Sequence, residues 1–144
     1  ITEEGKPFTI GKADVLREGR DVTLVGTGQL VSGCMEAAEK LAAEGIEAEV
    51  INMSTIKPLD TATLFASVAK TGCAVTAEEH SVIGGLGSAV AEALSQNNPV
   101  PIAIIGTNDL FGESGTPDQL FKRYGLTADD IAERAKKTIA MKTK

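Results

Sequence analysis

Hydrophobic positions along this chain fall into short apolar runs that alternate with stretches of helical spacing. Val22-Thr23-Leu24-Val25 is a compact β-branched run closed by Gly26-Thr27-Gly28, which predicts a buried strand ending in a tight turn. Leu30, Cys34, Ala37, Ala38, Leu41 and Ala42 then recur at helical spacing, and Gly45 supplies the stop. Glu47 to Met53 predicts a second strand centred on Val50 and Ile51. Pro58 breaks the chain, Asp60 is placed to cap a helix carrying Leu64, Phe65 and Val68, and Gly72 ends that helix. Cys73 to Glu78 follows as a third strand. Gly84 to Asn97 is helical, with Leu86, Val90 and Leu94 on one face. Pro101 to Ile105 is apolar without alternation, as expected of a core strand covered on both faces.

The end of the chain is a helical tail. Thr116-Pro117-Asp118-Gln119 places a cap residue, a proline at the first helical position and a glutamine at the third, and Gly125 closes the helix. Thr127-Ala128-Asp129-Asp130 opens a last helix with Ile131, Ala135 and Ile139 four residues apart. Residues 1–19 are polar and glycine-punctuated, and are expected to form an N-terminal linker with one short edge strand at Asp14 to Arg17. Residues 20–144 are expected to form a single domain. Strand and helix alternate from Val22 to Ile105, so the expected fold is α/β: a three-layer α/β/α sandwich on a mainly parallel five-stranded sheet with one antiparallel edge strand. No internal repeat appears.

Length and charge narrow the function classes. A chain of 144 residues with 14 Lys+Arg against 20 Asp+Glu carries a net charge of -6, and it has no basic run, which argues against nucleic-acid binding. Neither a bilayer-spanning segment nor a signal peptide is expected. Cys34 and Cys73 are far apart and His80 is the single histidine, too few ligands for a Cys/His zinc site. Both thiols are expected to be reduced and core-filling, in a cytoplasmic protein. The sequence begins at Ile1, so a fragment of a longer enzyme or a processed chain is expected.

Two segments could carry chemistry. Gly26-Thr27-Gly28 lies between strand and helix, but a dinucleotide fingerprint needs a third glycine where Val31 stands, and Asn52 occupies the place of the ribose-binding acid. The second segment is Glu78-Glu79-His80 followed by Gly84-Gly85-Leu86-Gly87-Ser88. There a strand ends in acids and a helix begins with nearly bare backbone N–H groups, able to receive an anion or a neighbouring carboxylate. Glu79, His80, Gly84, Gly85, Gly87 and Ser88 are therefore the candidates for an anion site or a domain contact. With no Lys or Arg nearby, the glycines favour close packing of helices or subunits over a ligand. His80 is a possible general base without a legible partner, and no serine sits in a G-x-S-x-G elbow.

These segments, in this order and spacing, resemble the C-terminal domain of transketolase-type thiamine diphosphate enzymes. The match is carried by Asp21-Val22-Thr23-Leu24-Val25-Gly26-Thr27-Gly28, Ile56-Lys57-Pro58-Leu59-Asp60, and Glu78-Glu79-His80 with Gly84-Gly85-Leu86-Gly87-Ser88-Ala89-Val90. The tail Ser114-Gly115-Thr116-Pro117-Asp118-Gln119-Leu120, then Tyr124-Gly125-Leu126-Thr127, favours transketolase over its relatives. The resemblance implies an α/β/α sandwich and an intact enzyme that transfers a two-carbon ketol unit between sugar phosphates. It implies thiamine diphosphate and a divalent metal, Mg or Ca, held by pyrophosphate-binding and pyrimidine-binding domains of paired subunits. No catalytic, cofactor or metal residue is transferred to this chain, whose implied role is packing and assembly in a homodimer. Gly85→Val is expected to weaken that assembly. The alternatives are the same domain of a deoxyxylulose-phosphate synthase or of a 2-oxo acid dehydrogenase β subunit that docks a carrier domain, and a free-standing nucleotide or anion binder.

Overall fold

The computed structural model describes residues 7–109 and 112–142; residues 1–6 of the expected linker lie outside the described residues. Strands β1 (Asp14–Arg17), β2 (Val22–Gly26), β3 (Ala48–Asn52), β4 (Ala74–Ser81) and β5 (Ile102–Thr107) form one sheet in the order β1-β3-β2-β4-β5. β1 runs antiparallel to β3, and every other pairing is parallel. Helices α1 (Leu30–Ala43), α2 (Thr61–Thr71) and α3 (Leu86–Asn97) are the crossovers, and α4 (Pro117–Tyr124) and α5 (Ala128–Ala140) follow the last strand.

The period of two along each strand decides which residues meet which helices. Val22, Leu24, Ala48, Val50, Val75 and Ala77 face one core, with Leu30, Cys34 and Leu41 of α1 and Ile131 and Ala135 of α5. Val25, Ile51 and Ala74 face the other, with Leu64 and Val68 of α2 and Leu86, Val90 and Leu94 of α3. Both faces are thus covered, and β2 is buried along its whole length. Cys34 and Cys73 are both free and buried. Burial pushes the Cys34 thiol up to about 12 and raises that of Cys73, so neither is a ready thiolate nucleophile.

Two boundaries and one burial pattern differ from those expected. β4 continues through Glu78, Glu79 and His80 to Ser81, and its pairing with β5 shifts register between Ala77 and Ser81. Helix α3 starts at Leu86 with Gly85 as its cap, so Gly84 belongs to the preceding loop. The last strand is not the fully covered core element its apolar run suggested: Ile102, Ala103 and Ile104 are only half-buried. β5 ends the sheet, and no further strand flanks it among the described residues. The caps on the tail helices, by contrast, form as the sequence spells them. Thr116 and Gln119 close a reciprocal capping box with Pro117 at the first turn, and Thr127 and Asp130 close another. Among the described residues no helix is long and apolar enough to cross a membrane.

Candidate functional site

In an open parallel sheet a crevice forms where neighbouring strands send their crossovers to opposite faces. Here β2 leads into α1 on one face while β4 leads into α3 on the other, so the crevice opens beyond the carboxyl ends of β2 and β4. A cavity of about 530 Å³ lies at that point, lined by Thr27, Gly28 and Gln29 on one side and Glu78, Glu79, His80, Gly84 and Gly85 on the other, with Ile56 at its edge. The two segments separated by fifty residues in the sequence are therefore the two walls of one site.

Glu78 organises the α3 wall. Its side chain is buried, with the residue only 2% exposed. It accepts hydrogen bonds from the N–H groups of Leu86 at 2.8 Å and Gly87 at 3.2 Å. The positive end of α3 is thereby satisfied from within by a carboxylate of the adjoining strand. The glycines make this approach possible. A Cβ on Gly85 would lie 2.4 Å from Glu78 Oε2, and one on Gly87 would lie 2.4 Å from Ile104 Cγ2. Gly84 differs, with open space around it but φ of +76°, a conformation glycine adopts without penalty. The shift in register of β4 has its own requirement, because a Cβ on Gly106 would meet the His80 carbonyl oxygen at 2.6 Å.

The remaining candidates are held by the loop itself. Ser88 Oγ accepts from the Gly84 N–H at 2.9 Å and donates to the Val82 carbonyl at 3.3 Å. His80 Nδ1 lies 3.1 Å from the Ser81 carbonyl oxygen, and Glu79 and His80 are both exposed. Among the described residues, the hydrogen bonds of Ser88 and His80 go to backbone groups of their own loop, and no three His, Cys, Asp or Glu side chains group as metal ligands. Across the crevice, Gly26 lets α1 lie close, since a Cβ there would be 3.0 Å from Val31 Cα and 3.1 Å from Cys34 Sγ. This is the tight strand-to-helix turn that the missing third glycine pointed to.

Over residues 11–131 the chain matches the family model described as transketolase, C-terminal domain. The chain belongs to that family. A 6-deoxy-6-sulfo-D-fructose transketolase subunit from Clostridium sp. is 52% identical over 135 residues, covering 94% of this chain and 42% of that protein. A 1-deoxy-D-xylulose-5-phosphate synthase from Trichormus variabilis is 48% identical over 93% of this chain and 21% of its own length. Among solved structures, a split-gene transketolase described as an inactive β4 tetramer superposes with a TM-score of 0.92 at 51% identity, over 94% of this chain and 45% of that one. A transketolase from Pichia stipitis has a TM-score of 0.67 at 24% identity over 90% of this chain and 18% of that one, a likeness of fold. As a transketolase C-terminal domain, the chain spans about two-fifths of the transketolase subunit it matches.

Sequence reasoning had found each wall of the crevice separately and missed that they face one another. Gln29 and Ile56 went unnoticed as lining residues because neither belongs to a motif. The buried polar cluster at the opposite end of the sheet was missed as well. There Thr23 Oγ1 lies 2.6 Å from both Ser67 Oγ and Thr71 Oγ1, and Glu49 pairs with Lys70. Its only sequence signal was a polar residue inside each of two apolar strands.

Proposed function

We propose that this chain is the C-terminal domain of a thiamine diphosphate-dependent transketolase-type enzyme, that it serves packing and subunit assembly, and that the chemistry takes place on other domains. The observation that carries this reading is the family match over residues 11–131, combined with the chemistry of the crevice. The crevice does not fit the cofactor. A diphosphate with its divalent ion calls for free carboxylate or carbonyl oxygens on the metal and donors on the phosphates. The buried carboxylate here is engaged by Leu86 and Gly87, Glu79 adds a negative charge at the mouth, and no lysine or arginine among the described residues lines the cavity.

A contact role suits the rim better. Ile56 and Ile83 are exposed, Ile83 at 66%, beside glycines that let another backbone approach closely. We assign Glu79, His80, Gly84 and Ser88 to that contact, and Gly85 and Gly87 to the internal packing that supports it. Residues 1–19 would then lead from an upstream domain into the sheet through β1. The intact protein would be a cytoplasmic homodimer whose pyrimidine-binding and pyrophosphate-binding domains hold thiamine diphosphate and Mg or Ca.

The test is direct. The purified chain, given thiamine diphosphate, Mg ions, xylulose 5-phosphate and ribose 5-phosphate, is expected to show no ketol transfer, and calorimetry is expected to show no cofactor binding. Turnover, or saturable binding of thiamine diphosphate, overturns the proposal. The 48% identity to a 1-deoxy-D-xylulose-5-phosphate synthase favours a second reading, in which the domain belongs to such a synthase. Formation of 1-deoxy-D-xylulose 5-phosphate by the full-length enzyme would establish it.

A further inference from the structure

We infer a separate binding site for a small phosphorylated molecule in the cleft between β5, α4 and α5, on the face of the sheet opposite α3. This inference does not depend on the role assigned to the crevice. The cleft encloses about 490 Å³, and four cations line it: Lys122 and Arg123 from α4, and Arg134 and Lys137 from α5. In a chain of net charge -6, such a gathering runs against the overall balance.

Two acids also line the cleft, and both are engaged. Asp130 accepts the Thr127 N–H at 3.0 Å as part of its capping box, and Glu133 pairs with Lys136 at 2.6 Å. Arg123 reaches Glu113 at 3.3 Å. Among the described residues Lys122, Arg134 and Lys137 have no ion-pair partner. Attraction to the carbonyl ends of the helices accounts for a cation in each last turn. It does not account for the cations of two helices converging on one cavity, nor for Arg134 in the middle of α5.

The third wall adds donors of another kind. β5 is the last strand of the sheet, and Ile104, Ile105 and Gly106 border the cleft, so part of its backbone row is free to bond a ligand. Guanidinium and ammonium groups beside backbone N–H groups match a phosphoryl group. The volume suits a small molecule, not a flat macromolecular surface.

The experiment is an amide NMR titration of the 144-residue chain at low salt with inorganic phosphate, ribose 5-phosphate and, as a control, ribose. The proposal expects saturable shifts at Gly106, Asn108, Gly125 and Arg134 with both phosphates and none with ribose. Tighter binding of ribose 5-phosphate than of inorganic phosphate would identify an ester as the ligand, and equal binding would identify the phosphoryl group alone. Arg134→Ala with Lys137→Ala, two exposed positions, is expected to weaken binding about tenfold or more with an unchanged melting temperature. Absence of shifts at millimolar phosphate, shifts that persist undiminished in the double variant, or a preference for a hexaglutamate peptide over both phosphates would each overturn it.

Discussion

Two glutamates, Glu49 on β3 and Glu78 on β4, are equally buried at 2% exposure, toward opposite ends of the sheet and on either side of β2. Glu49 sits near the amino end of β3 and is answered chiefly by a side-chain cation. Lys70 from the last turn of α2 pairs with it and also reaches Glu18 at 2.6 Å, while the Gly19 N–H donates to Glu49 Oε2 at 3.3 Å. Glu78 sits near the carboxyl end of β4 and, among the described residues, is answered by peptide N–H groups alone. A lysine side chain can swing to water when its partner is lost, whereas the first turn of a helix cannot. The amino end of the sheet is therefore adjustable, and the carboxyl end, where the crevice lies, is preorganised by backbone. Glycines are demanded at both ends, since a Cβ on Gly19 would lie 2.2 Å from the Glu49 nitrogen and one on Gly85 or Gly87 would also collide, so the contrast rests on how each carboxylate is answered.

The most severe challenge to that rigid end is Gly87→Val. Its Cβ would meet both Ile104 Cγ2 and Thr76 Oγ1 within 3 Å, and chemical denaturation is expected to show a loss of about 3 kcal/mol or an insoluble protein. Gly84→Ala, strained in φ but open in space, is expected to cost only about 1 kcal/mol. Equal losses would mean that conformation, not close packing, governs the loop.

Next comes the direct comparison of the two carboxylates. Glu78→Ala strands two N–H groups at a buried helix start and is expected to cost about 2–4 kcal/mol, against roughly 1–2 kcal/mol for Glu49→Ala. Urea unfolding of both variants decides it, and a larger loss at Glu49 would reverse the contrast drawn here.

Acid should then act through buried carboxylates at both ends of the sheet, Glu49 at the amino end and Asp60 at the carboxyl end. Burial pushes the Glu49 carboxyl up, but Lys70, the Ser67 hydroxyl and the Gly19 N–H together outweigh it and hold the carboxyl below its ordinary range. Asp60 behaves alike: burial raises it, and the N–H groups of Ala13 and Thr63 with the Thr63 hydroxyl lower it further. A depressed folded value means stability that is complete above the unfolded value, about 4 for these groups, and lost as pH falls through the folded value. Urea midpoints are expected to be level from pH 7 to about 5 and to fall below about pH 4, with a shallower fall in Glu49→Gln. An unchanged slope in that variant would remove Glu49 from the account.

The smallest effect concerns the tail. Lys142 Nζ donates to the Asp21 and Thr71 carbonyls at 2.8 and 3.0 Å, tying the segment just after α5 to the amino side of the sheet. Lys142→Met is expected to lower stability by about 1 kcal/mol, visible as a modest drop in melting temperature.

Local signals proved legible because their physics is local. Apolar periods of two and of 3.6 placed the strands and helices, and Thr116, Thr127, Asp60 and Gly125 announced helix ends because a cap needs only neighbours three or four residues away. The bare N–H groups of Leu86 and Gly87 were equally readable, as was the possibility that a carboxylate would meet them.

What the sequence alone determined was an α/β alternation, its caps and the family it belongs to. Only the tertiary structure decided that Gly26–Gly28 and Glu78–Gly85 are walls of one crevice, that Gly85 is demanded by its own chain's Glu78, and that β5 is a half-exposed edge with four cations beside it. The first and last of those facts depend on strand order, which is set by long-range packing that leaves no period in the chain to read, and the second depends on the path of the loop between β4 and α3.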